Sequence, residues 1–222
     1  MRTEFHIDSD QIACLYLNHP HKAVNVLDEE TLQEIQQHIS RFVDDDAIKG
    51  LVIASKKPSF IAGVDLSLLG NMADKPATHF RDFLLSLHQS MRALETCQKP
   101  VVAAINGTVL GGGLELCLCA DYRIGVIDSP GQIGLPETKL GIFPGMGGSV
   151  RLPRLIGLQA ALEIILKGAT VNFSKAKMLS LVHELVPEKS LLSRAKEWIL
   201  ANQHVDNPIN HLKNYRTLNP YH

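Results

Sequence analysis

Three consecutive glycines, Gly111, Gly112 and Gly113, stand two positions ahead of an acidic residue, Glu115, in the otherwise apolar stretch "VLGGGLELCLCADYRI". Glycine loses the most conformational freedom on folding, so three together are costly unless another group must come close to the backbone. Glu115 has Leu114, Leu116, Cys117, Leu118 and Cys119 as sequence neighbours. A carboxylate in such company is expected to be partly buried, which is rare unless it is paired or functional. Glycines that open a helix leave free N–H groups at the positive end of the helix dipole, where a ligand oxygen can approach, and such a site stabilises an oxyanion. A tight turn with close strand-to-helix packing accounts for the same glycines without any chemistry. A second glycine site, "PSFIAGVDL" at residues 58–66, follows an apolar run and offers another backbone N–H. Two donors from separate loops would form an oxyanion hole, each worth on the order of 3 kcal/mol of transition-state stabilisation. Glu137, in "GLPETKLG", is a second acidic candidate. Two carboxylates flanking a reacting carbon can divide acid and base work when their environments push their proton affinities apart. A surface glutamate after a proline would have the same local sequence.

Short apolar runs alternate along the chain with helical patterns, the mark of an α/β domain. Residues 12–17, 51–54, 101–105 and 122–127 read as strands, and the continuous apolar runs at 51–54 and 101–105 suit strands covered on both faces. From Asp28, an N-cap residue, Leu32, Ile35, Ile39 and Phe42 recur at helical spacing until the Asp44-Asp45-Asp46 cluster. Phe80, Phe83, Leu84, Leu87, Met91 and Leu94 mark a long helix whose apolar positions are assigned to core packing. The segment "GQIGLPETKLGIFPGMGGSVRLPRLIG" reads as a shaped loop, and helical patterns return at 158–167, 174–181 and 191–200, with Trp198 a packing residue. One domain over residues 1–202 is expected, followed by a polar, loosely held tail at 203–222. The sequence shows no internal repeat.

The 222 residues are 45% hydrophobic, with 22 basic against 23 acidic side chains, as expected of one ordinary domain. Mixed charges with no basic stripe argue against a nucleic-acid partner. The N-terminal stretch "MRTEFHIDSDQ" resembles neither a secretory signal nor a transit peptide, and no run approaches a membrane span. Cys14, Cys97, Cys117 and Cys119 form no C-x-x-C pair, and the last two read as reduced core residues, so a cytoplasmic location is expected. Several motifs fail on inspection. The dinucleotide fingerprint breaks at Leu116 and at Val150, a phosphate loop would need lysine at Gly113, and "HELVP" has Pro187 where a second zinc ligand would stand. A serine-hydrolase elbow fails at Arg151. No metal site is expected.

Four blocks together resemble the crotonase, or enoyl-CoA hydratase/isomerase, superfamily: "HKAVNVLD" (21–28), "FIAGVDL" (60–66), "KPVVAAINGTVLGGGLELCLCADYRI" (99–124) and "IGLPETKLGIFPGMGGSVRLPRLIG" (133–157). The resemblance runs from about residue 12 to 200, and the last block is most similar to the hydratase part of bacterial multifunctional fatty-acid oxidation α-subunits. It implies an α/β fold, a spiral of repeated ββα units with a helical C-terminal region, assembled as a homotrimer or a hexamer, or within a multienzyme complex. It also implies an oxyanion hole from the N–H groups of Val64 and Gly112, and catalytic roles for Glu115, which helps activate water, and Glu137, which exchanges a proton at the α-carbon. Lys22, Ala23, Val24 and Ala62 match positions that line the coenzyme A groove, and Gly63, Asp65 and Gly111 match further substrate-binding positions. The implied activity is hydration of trans-2-enoyl-CoA thioesters in fatty-acid β-oxidation, with Δ3,Δ2-isomerisation beside it. No cofactor is implied, because coenzyme A is part of the substrate. A non-catalytic binding or assembly subunit on the same fold is the alternative. The "DSPGQ" turn is a little longer than in familiar members. Members also continue with further helices over the acyl site, so this stretch is expected either to belong to a longer polypeptide or to be a short member with altered assembly.

Overall fold

The apolar runs at 12–17, 51–54 and 101–105 are long enough for strands and too short for helices, and each forms a strand. The computed structural model describes residues 1–73 and 75–203. The chain opens with β1 (Thr3–Ile7) and β2 (Ile12–Leu17), then α1 (Glu29–Asp44), β3 (Gly50–Ser55), α2 (Leu66–Ala73), α3 (Ala77–Thr96), β4 (Val101–Ile105), β5 (Val109–Leu110) and α4 (Gly112–Cys117). It continues through β6 (Tyr122–Val126), β7 (Ile133–Gly134), a 3-10 turn at Glu137–Leu140, α5 (Gly148–Ile156), α6 (Leu158–Leu166), β8 (Thr170–Val171), α7 (Phe173–Met178), β9 (Glu184–Val186) and α8 (Leu191–Ala201).

Among the described residues the main sheet has the order β1-β2-β3-β4-β6-β9, antiparallel at the first pair and parallel from there on. Residues alternate between two cores. Leu15, Leu51, Ile53, Val101 and Ala103 face one that includes Phe42 of α1 and Leu87 and Met91 of α3, whereas Val52, Ala54, Val102 and Ala104 face the other, closed by Ala195 and Ile199 of α8. Parallel strands covered on both faces have no polar side, which is why these runs are continuously apolar.

After each parallel strand the chain lays down a second, shorter extended piece. Leu27 bridges Val64, Ile61 bridges Val109, and β5 pairs with β7, all in parallel. Hydrogen bonds stitch the row together: Ala62 N to Asn25 O at 2.8 Å, Leu27 N to Gly63 O at 2.9 Å, Leu110 N to Ile61 O at 3.0 Å and Gly111 N to Gly134 O at 3.0 Å. Each turn of the chain therefore contributes one strand to the main sheet, one segment to this second row, and then a helix or a 3-10 turn. The result is a spiral of ββα units.

Asp28 caps α1 as expected, accepting from Thr31 N at 2.8 Å. Three expectations need correction. The segment read as a shaped loop contains α5, hidden by Gly147, which has φ +103°, and by Pro153 inside the helix, both of which read as breakers. In α3 Leu87, Met91 and Leu94 are buried and the partly buried Phe83 and Leu84 pack against the same core, as expected, but Phe80 is 36% exposed. The strand expected at 122–127 stops at Val126, leaving Ile127 exposed. Trp198 does pack, stacked on Tyr122 with ring centroids 4.7 Å apart. Except for Gln203, the expected tail lies outside the described residues. Among those described, no helix is long and apolar enough to cross a membrane, and no His/Cys/Asp/Glu cluster could hold a metal ion.

Candidate active site

The second row ends where the predicted site residues begin. Ala62, Gly63, Val64 and Asp65 follow one rung, Gly111 and Gly112 follow β5, and Glu137 follows β7 by way of Leu135 and Pro136. Residues from three distant blocks of sequence thus meet because each closes its own turn of the spiral.

The three glycines answer to three different neighbours. Gly111 has φ +54°, and a side chain there would meet Glu137 Oε1 at 3.1 Å. At Gly112 a Cβ would lie 2.9 Å from Met146 Sδ, 3.0 Å from Leu27 Cδ1 and 3.1 Å from Val64 Cγ2. At Gly113 it would strike Ile61 Cβ at 2.5 Å. Close packing explains Gly113. Gly112 instead opens α4, and among the described residues neither its N–H nor that of Val64 donates to a protein acceptor. The Val64 side chain lies where a Cβ on Gly112 would meet it, so these two residues with unused donors are neighbours.

Glu115 sits on the first turn of α4 and is 1% exposed. Its Oε1 accepts from Met146 N at 2.8 Å and from Gly148 N at 2.7 Å. Burial pushes its proton affinity up, from the ordinary 4.5 to about 7, and the nearby Glu137 carboxylate adds to the rise. The two backbone donors and the Arg151 cation act against it. Glu137 is 8% exposed, so it is no surface glutamate, and its Oε2 is buried with no hydrogen-bond partner among the described residues. Burial raises its proton affinity as well. Two buried carboxyls with raised proton affinities, beside two N–H donors unsatisfied among the described residues, suit proton transfer around a carbonyl-activated carbon.

The remaining predicted positions form the rim. Lys22, Ala23, Val24 and Ala62 are exposed, Gly63 is buried, and Asp65 is part-buried in an ion pair with Lys22 that holds its carboxyl below the usual range. Asn25, which the sequence reading passed over, ties the rim to the sheet: its Nδ2 donates to Ser55 Oγ and to Phe60 O, both at 2.9 Å. The Met146–Gly148 turn that grips Glu115 was also missed, and its signal was the glycine pair after Met146.

A spiral of ββα turns that delivers free backbone donors and buried carboxylates to one end of its second row is the crotonase fold. The chain belongs to the enoyl-CoA hydratase/isomerase family, whose model matches residues 8–218. It is 39% identical over 189 residues to a crotonyl-CoA hydratase of Syntrophomonas wolfei, covering 85% of this chain and 70% of that one. It is also 39% identical over 201 residues to the fatty acid oxidation complex subunit alpha of Shewanella sp. strain ANA-3, covering 90% of this chain and 28% of the relative. The chain therefore spans little more than a quarter of the length of that subunit. The crystal structure of an enoyl-CoA hydratase from Bacillus anthracis superposes with a TM-score of 0.80 at 32% identity, covering 90% of this chain and 76% of that one.

Proposed function

We propose that this chain is an enoyl-CoA hydratase, a lyase that adds water across trans-2-enoyl-CoA thioesters in fatty-acid β-oxidation. The observation that carries the reading is the placing of Glu115 and Glu137, both buried, around the unsatisfied N–H groups of Val64 and Gly112. The thioester oxygen accepts from those two donors. Glu115, as carboxylate, takes a proton from water while the water oxygen bonds to the β-carbon. The electron pair of the carbon–carbon double bond moves towards the thioester oxygen, giving an enolate that the two N–H groups stabilise. Glu137, as the neutral acid, then delivers a proton to the α-carbon, and exchange with solvent restores both carboxyls. Burial raises the proton affinity of both groups, which suits carboxyls that exchange protons during the reaction.

The substrate's coenzyme A portion lies along Lys22, Ala23, Val24, Ala62, Gly63, Asp65 and Gly111, and the reaction calls for no resident cofactor and no metal. Δ3,Δ2-Isomerisation is a second activity of the same site. It is favoured by the unpartnered Oε2 of Glu137, which is free to shuttle a proton between two carbons. The assembly is a homotrimer or hexamer, or a multienzyme complex such as the one named for the Shewanella relative. Leu158, Leu162 and Leu166, exposed at helical spacing along α6, support burial against another chain. The cytoplasm is the proposed location. The deciding experiment adds the protein to crotonyl-CoA and follows the ultraviolet absorbance of the conjugated thioester. Loss of absorbance supports hydration; unchanged absorbance with bound crotonyl-CoA would favour a non-catalytic binding subunit.

A further inference from the structure

Behind Glu115 lies a polar relay that the proposed reaction does not use. Arg151, on α5, makes a two-point contact with Glu95 in the last turn of α3: Nε to Oε1 at 2.6 Å and Nη2 to Oε2 at 2.9 Å. Its remaining arm, Nη1, donates to the Met146 carbonyl at 2.8 Å. Met146 and Gly148 supply the two N–H groups on Glu115 Oε1. One turn is therefore gripped through its carbonyl on one side while it grips a carboxylate through its N–H groups on the other.

This is no loose surface pair. The Arg151 and Glu95 side chains are 14% and 15% exposed, and a bidentate guanidinium–carboxylate contact fixes direction as well as distance. Arg92, the other cation near Glu95, stands 3.7 Å away with its side chain 54% exposed. The anchor is firm, because α3 buries Leu87, Met91 and Leu94 close to Glu95. Nothing fits between the turn and the cation: Gly147 has φ +103°, and a Cβ there would lie 1.9 Å from Arg151 Nη1.

We propose that Arg151, held by Glu95, is a positioning residue for Glu115, fixing the Met146–Gly148 turn and through it the direction of the Glu115 carboxylate. The inference rests on the reading of Glu115 as the group that activates water. The charged groups that act on Glu115 are few. Glu137, from the turn after β7, raises its proton affinity; Arg151, from α5, lowers it; Glu95 lies behind Arg151. Just past the end of its own helix, Cys119 stays a neutral thiol, pushed up to about 12 by burial.

The test is a set of variants in the full chain, read in two ways. Arg151→Gln removes the cation and leaves the Glu95 carboxylate uncompensated, so Glu115 holds its proton more tightly. Glu95→Gln leaves the cation without its counter-charge, so Glu115 releases its proton more readily. The acid limb of kcat/KM should move up in the first and down in the second, each by about half a pH unit or more. In both variants kcat should fall about tenfold or more, because a misaimed base loses catalytic efficiency steeply. Arg151→Lys keeps the charge but cannot span Glu95 and the Met146 carbonyl together, so kcat should fall with little displacement of the limb. The second reading is an infrared titration of the Glu115 carboxyl band, assigned by its loss in Glu115→Gln, which needs no turnover. Opposite displacements of that band in the two neutralising variants support the relay. Unmoved bands, or displacements of the same sign, overturn it. Opposite displacements in a protein that hydrates no enoyl-CoA would leave the relay standing and remove the hydratase reading. Should Arg151→Gln fail to fold, Glu95→Gln decides by the same band, and a stationary or upward titration there overturns the proposal.

Discussion

The two glutamates at the centre of this molecule are held in opposite ways. Glu115 is part of a helix whose every residue is buried, and two backbone N–H groups fix one of its oxygens. Glu137 stands in a four-residue 3-10 turn that runs directly into exposed Leu140, Ile142 and Phe143, and its buried Oε2 has no partner among the described residues. Hydrogen bonds to a carboxylate favour its ionised form, and burial without them favours the neutral acid. In Glu115 deep burial outweighs those two donors, and its proton affinity still rises to about 7. The difference therefore teaches which group is fixed in direction and which is not, and in the proposed reaction the fixed one aims at water and the loose one at carbon.

The largest effects should come from erasing one side of that comparison. Glu137→Gln should abolish hydration and isomerisation together, by about 10³-fold or more in kcat with little change in binding, because the amide keeps size but cannot exchange the proton. Glu115→Gln should abolish hydration to a similar extent yet leave slow conversion of 3-enoyl to 2-enoyl thioesters. Separate hydratase and isomerase assays on the two variants check this. If both variants lose both activities equally, the division of labour is wrong.

Next in size is the feature the two carboxylates share, the proposed oxyanion site. Gly112→Val should cut kcat by about 10²-fold or more, since it fills the space before an aligned donor and collides with Met146, Leu27 and Val64. Turnover at the parental rate in a variant with normal thermal unfolding would remove Gly112 from the mechanism.

A smaller effect should appear in stability. An unfolded Glu115 loses its proton near 4.5 and the folded one near 7, so between those values the folded state binds more protons. Stability from this group is therefore intact below that window, falls as pH rises through it, and stays reduced above. The reduction is about 3 kcal/mol as an upper figure. Glu115→Gln should thus be more stable than the parent at about pH 8, with the gap closing towards about pH 5. Denaturant titrations at both pH values measure it, and a gap independent of pH would mean that the burial of Glu115 costs nothing. The smallest effect should come from Glu137→Gln in the same titrations, with the same sign, because Glu137 is less deeply buried.

Much of this was legible before any coordinates. The cap at Asp28, the strands at 12–17 and 101–105, the long helix before Lys99 and the glycine opening of α4 each follow from local chemistry: a side chain that satisfies a free N–H, an apolar run of strand length, a 3.6-residue period, a backbone that tolerates positive φ. The blocks 60–66, 99–124 and 133–157 also carried the identities of the candidate site residues that the fold brings together. Strands of two or three residues were not legible, because β5, β7, β8 and β9 are too short to show a period and exist only through their partners. Helix α5 was hidden by Pro153, whose cost is met by packing that no local rule can see. The sequence by itself determined which residues are chemically able to do the work and which segments prefer strand or helix. Only the tertiary structure decided that Glu115 is directed by a turn thirty-odd residues downstream, that this turn is itself held from α3, and that Glu137 Oε2 is buried with no hydrogen-bond partner among the described residues. Those properties arise from contacts between turns of the spiral, and burial and long-range hydrogen bonding acquire values only when the turns are stacked.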